Sequence, residues 1–284
     1  MTILNKFKVM AKEKSTNIGI GLGQSDHQNE CILLAITNFL RENSSIIYIF
    51  GTTESLSHIN SLIDPNYKSR IIINESANPE EDIFECLLSK KIDGVIRGSL
   101  SSNKFLMELR KSLDPKTINR LALLETVNGD QFFYGPVGVD ECNNLGEKIE
   151  FIVNSIKQLK FLNITPNISV LSGGRKGDVG RNKEVDISIQ NAENTVLEMK
   201  KLYPGLAIHH DEILIENAIK NKSNLIIAPN GISGNLIYRT LVHLGGGKAF
   251  GAIYMNLEHV IIDTSRVGEK SEIQGALLLA LALS

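Results

Sequence analysis

Residues 226–239 read IIAPNGISGNLIYR, and this stretch contains the local signals that decide the fold. An apolar run stops at Pro229, a turn crosses Asn230 and Gly231, and a helical pattern begins at Ser233. A buried strand that passes through a Gly-rich turn into a helix is a unit of parallel α/β sheets. Such a turn can also hold phosphate at the helix N-terminus, so the stretch allows both a binding loop and an ordinary connection.

Short apolar runs alternate with helical patterns along most of the 284 residues. Runs rich in Ile, Val and Leu predict strands that are buried on both faces of a helix-covered sheet. The predicted strands are Asn17–Gly21, Ile46–Phe50, Arg70–Ile73, Gly94–Ile96, Asn119–Thr126, Ile168–Leu171, Gly205–Ile208, Leu225–Ala228, Gly251–Met255 and Val260–Asp263. The sequence therefore predicts an α/β protein. We expect two packed domains rather than one sheet, with a break at NGDQFFYGPVGVD (128–140), where turn residues and aromatic residues interrupt the alternation.

Charge and cysteine content exclude several classes of protein. A net charge of −2 without a basic tail is unlike a nucleic-acid-binding protein. Cys31, Cys86 and Cys142 are scattered and odd in number, which fits a reducing cytoplasm better than a disulfide framework. The N-terminus lacks the apolar core of a signal peptide, and the C-terminal GALLLALALS is too short to cross a bilayer. We therefore expect a cytoplasmic protein with no nucleic-acid or membrane partner.

Three glycines, Gly19, Gly21 and Gly23, form the motif GIGLGQ after the first predicted strand. Such a turn can bind a dinucleotide or S-adenosylmethionine. However, the next strand, IIYIFG, does not end in the acidic residue that would bind ribose hydroxyls. A glycine-rich turn at the mouth of a cleft is the alternative that fits these residues better.

Two further polar segments are candidates for a binding site. The loop LSGGRKGDVGRNKEVD (171–186) exposes glycine N–H groups beside Arg175 and Lys176, which suits an anionic ligand, although a solvated loop without function remains the alternative. In AIHHDEI (207–213), adjacent residues of an extended chain alternate faces and do not converge on a metal. We therefore expect His210 to line a cleft and expect no metal.

The segment IIDTSRVGEKSEI (261–273) places Ser265 and Arg266 after the last predicted strand and Glu272 one turn into the final helix. A hydroxyl beside a guanidinium can bind a carbonyl or phosphate oxygen, and a nearby carboxylate can act as a base. Ser and Glu are also common where helices begin, so this segment alone is a weak signal.

In combination, these loops resemble the phosphate acetyltransferases and butyryltransferases. HDEILIENA (210–218), NLIIAPNGISGNLIYRTLVHLGGG (224–247), FGAIY (250–254) and DTSRVGEKSEI (263–273) follow the order of that family's C-terminal motifs, and DGVIRGSLSS (93–102) and ISVLSGGRKGD (168–178) resemble earlier turns. The resemblance covers most of the chain and is strongest in the last third. It implies two three-layer α/β domains with a cleft between them, isocitrate/isopropylmalate dehydrogenase-like, and a homodimer. The implied domains are 1–130 with 264–284, and 131–263.

The resemblance also implies a reaction, in which the thiol of coenzyme A attacks an acyl phosphate. Arg266 would hold phosphate, Ser265 would stabilise the oxyanion and Glu272 would take the thiol proton. The implied ligand is a small anion or coenzyme A, without a metal. The implied substrate-binding residues are Arg97, Ser99, Ser172, Arg175, Lys176, His210, Asn230, Gly234, Asn235 and Tyr238.

The chain departs from the acyltransferases at this presumed site. Val267 replaces the glycine after Ser-Arg, Glu272 replaces an Asp, and His210 stands where the family has another Asp. PVGVDE (136–141) together with the basic loop resembles more closely the methanogen branch labelled MtxX, which carries a methyltransferase name and implies an archaeal role in one-carbon metabolism. A methyltransferase, a non-catalytic binding protein, and a metal- and NAD-dependent dehydrogenase of the same fold therefore remain alternatives to acyl transfer.

Overall fold

The computed structural model describes residues 1–57, 59–266 and 268–284. These residues form two compact units: unit 1 consists of Met1–Thr117 and Ala249–Ser284, and unit 2 of Ile118–Lys248. The helices are α1 (Ile3–Ala11), α2 (Asp26–Glu42), α3 (Thr53–Leu56), α4 (Ile59–Leu62), α5 (Pro79–Leu88), α6 (Ser102–Leu113), α7 (Leu145–Phe161), α8 (Lys183–Leu202), α9 (Ile215–Lys220), α10 (Gly231–His243) and α11 (Lys270–Leu283). The strands are β1 (Asn17–Gly21), β2 (Ile46–Gly51), β3 (Ile71–Glu75), β4 (Gly94–Ile96), β5 (Arg120–Glu125), β6 (Gln131–Gly135), β7 (Asn167–Leu171), β8 (Ala207–Glu212), β9 (Leu225–Ile227), β10 (Lys248–Tyr254) and β11 (Val260–Asp263).

Unit 1 is organised around six strands in the order β3-β2-β1-β4-β11-β10. The first five are parallel, and β10 is antiparallel to β11. Ile96 of β4 pairs with Ile20 of β1 on one side and with Ile262 of β11 on the other. Because parallel strands end at the same edge of a sheet, the turns that follow β1, β4 and β11 lie next to one another.

Helices cover the strands of unit 1. α11 contacts α1, α2 and β11, whereas α5 contacts β1, β2 and α6. The apolar C-terminal run forms α11, in which Leu277, Leu279 and Leu281 are buried. Burial on nearly every side explains why this helix is apolar around its circumference rather than along one stripe.

Unit 2 contains five strands in the order β5-β6-β9-β7-β8, of which β5 is antiparallel to β6 and the others are parallel. The strand β6 lies within residues 128–140, the segment predicted from the sequence to contain the break between domains. Its residues Phe132, Phe133 and Tyr134 are buried because the strand is central, between β5 and β9. The short turn from Thr126 to Asp130, closed by an N–H···O bond of 3.0 Å, makes β5 and β6 a hairpin.

The predicted α/β class is confirmed, and the chain divides into two compact units. The boundaries between the units lie at residues 117/118 and 248/249. Both are earlier in the chain than the predicted domain boundaries at 130/131 and 263/264. The strand pairing explains these boundaries. β11 pairs with β4, and β10 pairs with β11, so both strands belong to unit 1, whereas β5 pairs with β6 in unit 2.

Among the described residues, none of the helices is both long enough and apolar enough to cross a membrane.

The glycines of GIGLGQ allow close packing within unit 1. A Cβ atom on Gly23 would lie 2.2 Å from the backbone oxygen of Ser99, and one on Gly21 would lie 2.9 Å from that of Arg97. The N–H of Gly23 donates to Ser99 Oγ (2.7 Å), and the N–H of Leu22 donates to the oxygen of Phe50 (2.8 Å). These N–H groups therefore bond within the protein, which favours the structural interpretation of the motif over a cofactor loop.

We predict that Gly23→Ala lowers the free energy of unfolding by roughly 1–3 kcal/mol, because the added methyl group meets backbone that cannot rotate away. Urea unfolding followed by circular dichroism measures the change. Gly177→Ala is the matched control, since a Cβ there would have no atom within 4 Å. Equal losses of stability in the two variants would contradict the packing role of Gly23.

Candidate functional site

A buried ion pair joins the ends of two neighbouring strands in unit 1. Arg97 follows β4, and its Nε donates to the carboxylate of Asp263, the last residue of β11. The two Nη atoms donate to backbone oxygens of Leu100 and Thr264. Burial opposes the positive charge, but the Asp263 carboxylate outweighs it and the pKa of the Arg97 guanidinium is raised. The predicted substrate-binding residue Arg97 therefore ties one turn to another through protein contacts.

A second set of hydrogen bonds connects the same edge of the sheet. The hydroxyl of Thr264 donates to the oxygen of Gly98 (3.0 Å). Ser99 Oγ accepts the N–H of Gly23 and donates to Asn29 Oδ1 (2.8 Å), and Asn29 Nδ2 donates back to the oxygen of Gly23 (2.9 Å). The turns after β1, β4 and β11 thus form one connected network.

Asn29 belongs to this network but was not predicted from the sequence. The sequence feature that could have indicated it is a polar Asn among the apolar, buried positions of α2.

Hydrogen bonds connect Ser265, Gly268 and Glu272 at the entry to α11. The N–H of Ser265 donates to Glu272 Oε1 (2.8 Å), and the N–H of Gly268 donates to the oxygen of Ser265 (3.1 Å). Glu272 is buried, Ser265 is half-buried and Arg266 is exposed. The three predicted catalytic residues therefore belong to one turn. Val267, where the chain departs from the acyltransferase motif, lies outside the described residues.

In unit 2, the predicted residues Ser172 and His210 contact each other after β7 and near the end of β8. His210 Nε2 lies 2.8 Å from Ser172 Oγ, whose hydroxyl donates to the oxygen of Gly174 (2.8 Å). Since that donation uses the only hydroxyl hydrogen, Nε2 carries the imidazole proton and Nδ1 is an acceptor. Nδ1 is buried and has no hydrogen-bond partner among the described residues. Burial lowers the pKa of His210, so the ring is neutral at neutral pH.

The basic loop beside this pair is exposed. Arg175 and Lys176 both reach solvent, and Lys176 Nζ lies 3.1 Å from Glu193 Oε1. The N–H of Arg175 donates to Asp178 Oδ2 (2.9 Å), which shapes the short 3₁₀ turn Lys176–Asp178. The loop can therefore present positive charge to a ligand, with Arg175 less compensated than Lys176.

The turn quoted from the sequence, at the start of α10, is packed by protein groups. Asn230 is the N-cap of α10, and its side chain accepts the N–H of Ser233 (2.9 Å). A Cβ on Gly234 would lie 2.0 Å from the oxygen of Pro136, and Asn235 Nδ2 donates to the oxygen of Val137 (2.9 Å). The turn thus packs α10 against the segment after β6. Tyr238, also predicted to bind substrate, packs its ring against His243 at 6.1 Å between centroids.

The predicted site residues thus form separate clusters within the two units. Arg97, Ser99, Ser265, Arg266 and Glu272 lie at the carboxyl edge of the unit 1 strands. In unit 2, His210 lies within β8, and the other predicted residues follow β7 and β9. Their assignment as ligand-binding residues stays a prediction.

In β8, a histidine lies beside a carboxylate. His209 Nε2 lies 3.1 Å from Asp211 Oδ2, which also accepts the hydroxyl of Ser169 (2.7 Å). Across the described residues, no group of three or more His, Cys, Asp or Glu side chains is arranged to hold a metal ion. The His209–Asp211 pair is therefore a polar contact within β8.

The chain matches no protein-family model. It is 44% identical over 210 residues to a Methanosarcina barkeri protein named "Putative methyltransferase mtx subunit X", and the match covers 74% of this chain and 76% of that protein. At this identity and coverage the two proteins belong to one family.

The fold is similar to that of two kinds of solved enzyme. A phosphotransacetylase from Streptococcus pyogenes superimposes with a TM-score of 0.70 over 100% of this chain and 99% of its own, at 18% identity. A 4-hydroxythreonine-4-phosphate dehydrogenase from Klebsiella pneumoniae gives a TM-score of 0.60 over 94% of this chain and 99% of its own, at 11% identity. These two similarities support the α/β fold that the sequence motifs implied.

We predict that Arg97→Met lowers the free energy of unfolding of unit 1 by about 3–5 kcal/mol, because the buried Asp263 carboxylate loses its guanidinium. Urea unfolding measures the loss, and hydrogen exchange of β4 and β11 assigns it to unit 1. Arg266→Met is the control, since its exposed side chain should change stability by less than about 0.5 kcal/mol. Unchanged exchange of β4 and β11 in Arg97→Met would refute this role.

Proposed function

The chain belongs to the family of methanogen proteins named "putative methyltransferase mtx subunit X", and we propose that it is a transferase of phosphate acetyltransferase or butyryltransferase type. Its ligand in this proposal is an acyl phosphate or coenzyme A, bound at the Ser265–Arg266 turn. The observation that carries the proposal is the single turn containing Ser265, exposed Arg266 and Glu272. A hydroxyl, a guanidinium and a carboxylate are the groups that acyl transfer from phosphate to a thiol requires.

Each group of the turn has one task in the proposed reaction. Arg266 binds the phosphate by charge-assisted hydrogen bonds, and its exposure leaves the guanidinium accessible from solvent. The hydroxyl of Ser265 donates to the carbonyl oxygen as negative charge develops on it. Glu272 accepts the thiol proton while the new carbon–sulfur bond forms and the bond from the acyl carbon to phosphate oxygen breaks. The products are a thioester and phosphate.

The surrounding network positions these groups before a ligand arrives. Arg97 holds Asp263 and the oxygen of Thr264, so the backbone directly before Ser265 is fixed on two sides. The Glu272 carboxylate fixes the N–H of Ser265 itself. Preorganised donors stabilise a transition state without reorganising during the reaction, which is the physical advantage of this arrangement.

A methyltransferase is the second candidate, because the name of the related Methanosarcina protein favours it. The glycine motif at the end of β1 gives no support to S-adenosylmethionine binding, since Gly21 and Gly23 pack against residues 97–100. A methyl-transfer role would therefore need a different site. A non-catalytic binding protein on the same scaffold is the outcome expected if ligands bind and no product forms.

We predict that coenzyme A or phosphate stabilises the protein and that Arg266→Ala abolishes this stabilisation. At about one hundred times Kd, a ligand adds about 2.7 kcal/mol to the free energy of unfolding, which a thermal-shift assay detects. Acetyl phosphate, S-adenosylmethionine and NAD are tested in parallel. Arg41→Ala removes another exposed arginine of unit 1 and should leave the stabilisation intact.

Thioester formation from acetyl phosphate and coenzyme A tests catalysis directly. Ser265→Ala should reduce kcat by about 10²–10³, as expected for the loss of an oxyanion donor, whereas Ser271→Ala should have little effect. Stabilisation by S-adenosylmethionine alone would favour methyl transfer, and stabilisation by coenzyme A without turnover would favour a binding protein. If coenzyme A stabilised Arg266→Ala as strongly as the unmodified chain, the proposed phosphate contact would be wrong.

The proposal includes a homodimer. Its support is the exposed apolar surface of α10, where Ile232 and Leu236 are separated by one helical turn and Leu244 follows the helix. Solvent-exposed apolar residues that adjoin one another are typical of protein contacts.

We predict that Leu236→Glu converts a dimer into a monomer, because it places a charge within this apolar surface. Size-exclusion chromatography with light scattering measures the mass against the 31.3 kDa of one chain. Leu197→Glu, at an exposed leucine on α8, is the control and should not change the mass. A monomeric unmodified chain, or a Leu236→Glu variant that stays dimeric, would contradict this interface.

A further inference from the structure

Unit 1 contains a cavity of about 630 Å³ that none of the proposed chemistry uses. It is lined by the residues that precede β1, β4 and β11, among them Thr16, Ile92 and His259. These strands are parallel, so the cavity lies at their amino edge, whereas the Ser265–Arg266 turn lies at their carboxyl edge. The five residues of β1 alone separate the two edges by about 16 Å. The cavity is therefore a distinct place in unit 1.

The cavity has the size of a small-molecule site, and one part of its wall is apolar. Its volume falls within the range of roughly 300–1,000 Å³ that is typical of ligand pockets. Ile92 and Leu281 are buried residues of its wall, so an aliphatic group placed there would be removed from water. The apolar residues of the wall are Leu87, Ile92, Val260, Leu281 and Leu283.

The polar rim of the cavity carries two lysines that lack carboxylate partners. Lys14 Nζ donates to the backbone oxygen of Ala282 (2.8 Å), and Lys90 is exposed. Within the part of the chain that the structure describes, neither lysine forms an ion pair. Two ammonium groups beside an apolar wall suit a ligand that has an anionic head and an aliphatic tail.

The rim also carries two acidic residues, Asp93 and Glu258. Asp93 Oδ2 accepts both the hydroxyl of Thr16 (2.8 Å) and the N–H of Asn17 (2.8 Å), so protein donors already compensate its charge. Glu258 is exposed, as is expected of a carboxylate that points toward water, and His259 completes the polar part of the lining. An anionic head can therefore contact the two lysines, whereas a cationic head at Asp93 would compete with the Thr16 and Asn17 donors.

We propose that this cavity is a second binding site of unit 1 and that its ligand is an amphipathic organic anion, a carboxylate with an aliphatic chain. Lys14 and Lys90 bind the carboxylate, and the wall around Ile92 and Leu281 covers the chain. The site is independent of acyl transfer and of the Ser265–Arg266 turn.

Three probes with the same tail and different heads test the proposal: octanoate, octylamine and 1-octanol. The chain contains no Trp, so Ser15→Trp at the cavity rim introduces a single tryptophan whose fluorescence reports occupation of this cavity. Isothermal titration of the unmodified chain gives the affinities. We expect octanoate to bind at least about tenfold more tightly than 1-octanol, as one charge-assisted contact implies, and octylamine to bind no better than 1-octanol.

Matched variants locate the contact. Lys14→Met and Lys90→Met keep an aliphatic stem and should each weaken octanoate binding by about tenfold, whereas Lys12→Met, an exposed lysine outside the cavity, should not. Arg266→Ala should bind octanoate as the unmodified chain does, which separates this site from the proposed acyl-transfer site. The proposal is overturned if octanoate does not bind, if octylamine binds equally well, or if both lysine variants retain full affinity.

Discussion

The buried pair of Arg97 and Asp263 is the constraint on which the organisation of unit 1 depends. It joins residues 166 positions apart, one at the end of β4 and one at the end of β11. A guanidinium removed from water is tolerated only with a close carboxylate and further acceptors, and the oxygens of Leu100 and Thr264 supply these. The C-terminal segment is thereby fixed beside the first half of unit 1, and the Ser265 turn follows directly from it.

Local sequence patterns predicted most strands, whereas contacts between residues distant in sequence could not be predicted. Ten strands were recognisable from short apolar runs, most of which are buried on both faces, and β1, β4 and β11 have the predicted bounds. The edge strands β3 and β8 are less buried. The strand β6 was missed because QFFYG lies between Gly129 and Pro136, which indicate turns, and its partner β5 is antiparallel. The segment IIDTSRVGEKSEI indicated Ser265 and Glu272. The residues around Arg97 do not indicate that its side chain bonds to Asp263 and Thr264, since those partners are distant in sequence.

The glycines of GIGLGQ and the Ser265 turn differ in whether packing within the protein accounts for them. A Gly-rich turn serves as a cofactor loop when its N–H groups face a ligand. Here Gly23 bonds to Ser99, and its missing Cβ makes room for the Ser99 backbone, so the motif is accounted for by packing. In the Ser265 turn, by contrast, the exposed guanidinium of Arg266 has no such structural explanation. The local physics therefore favours chemistry at Ser265–Arg266 over chemistry at the first glycine turn.

His210 shows how one substitution alters the charge of the unit 2 cluster. Where the acyltransferases resembled by the sequence have an acidic residue, this chain places an imidazole that burial keeps neutral and that donates to Ser172. One negative charge is thus absent from a strand edge that also carries exposed Arg175. Lys176 is compensated by Glu193, but Arg175 is not paired with a carboxylate in the described structure. The edge is consequently more positive than an aspartate would leave it, which is the charge that the predicted anionic ligand requires.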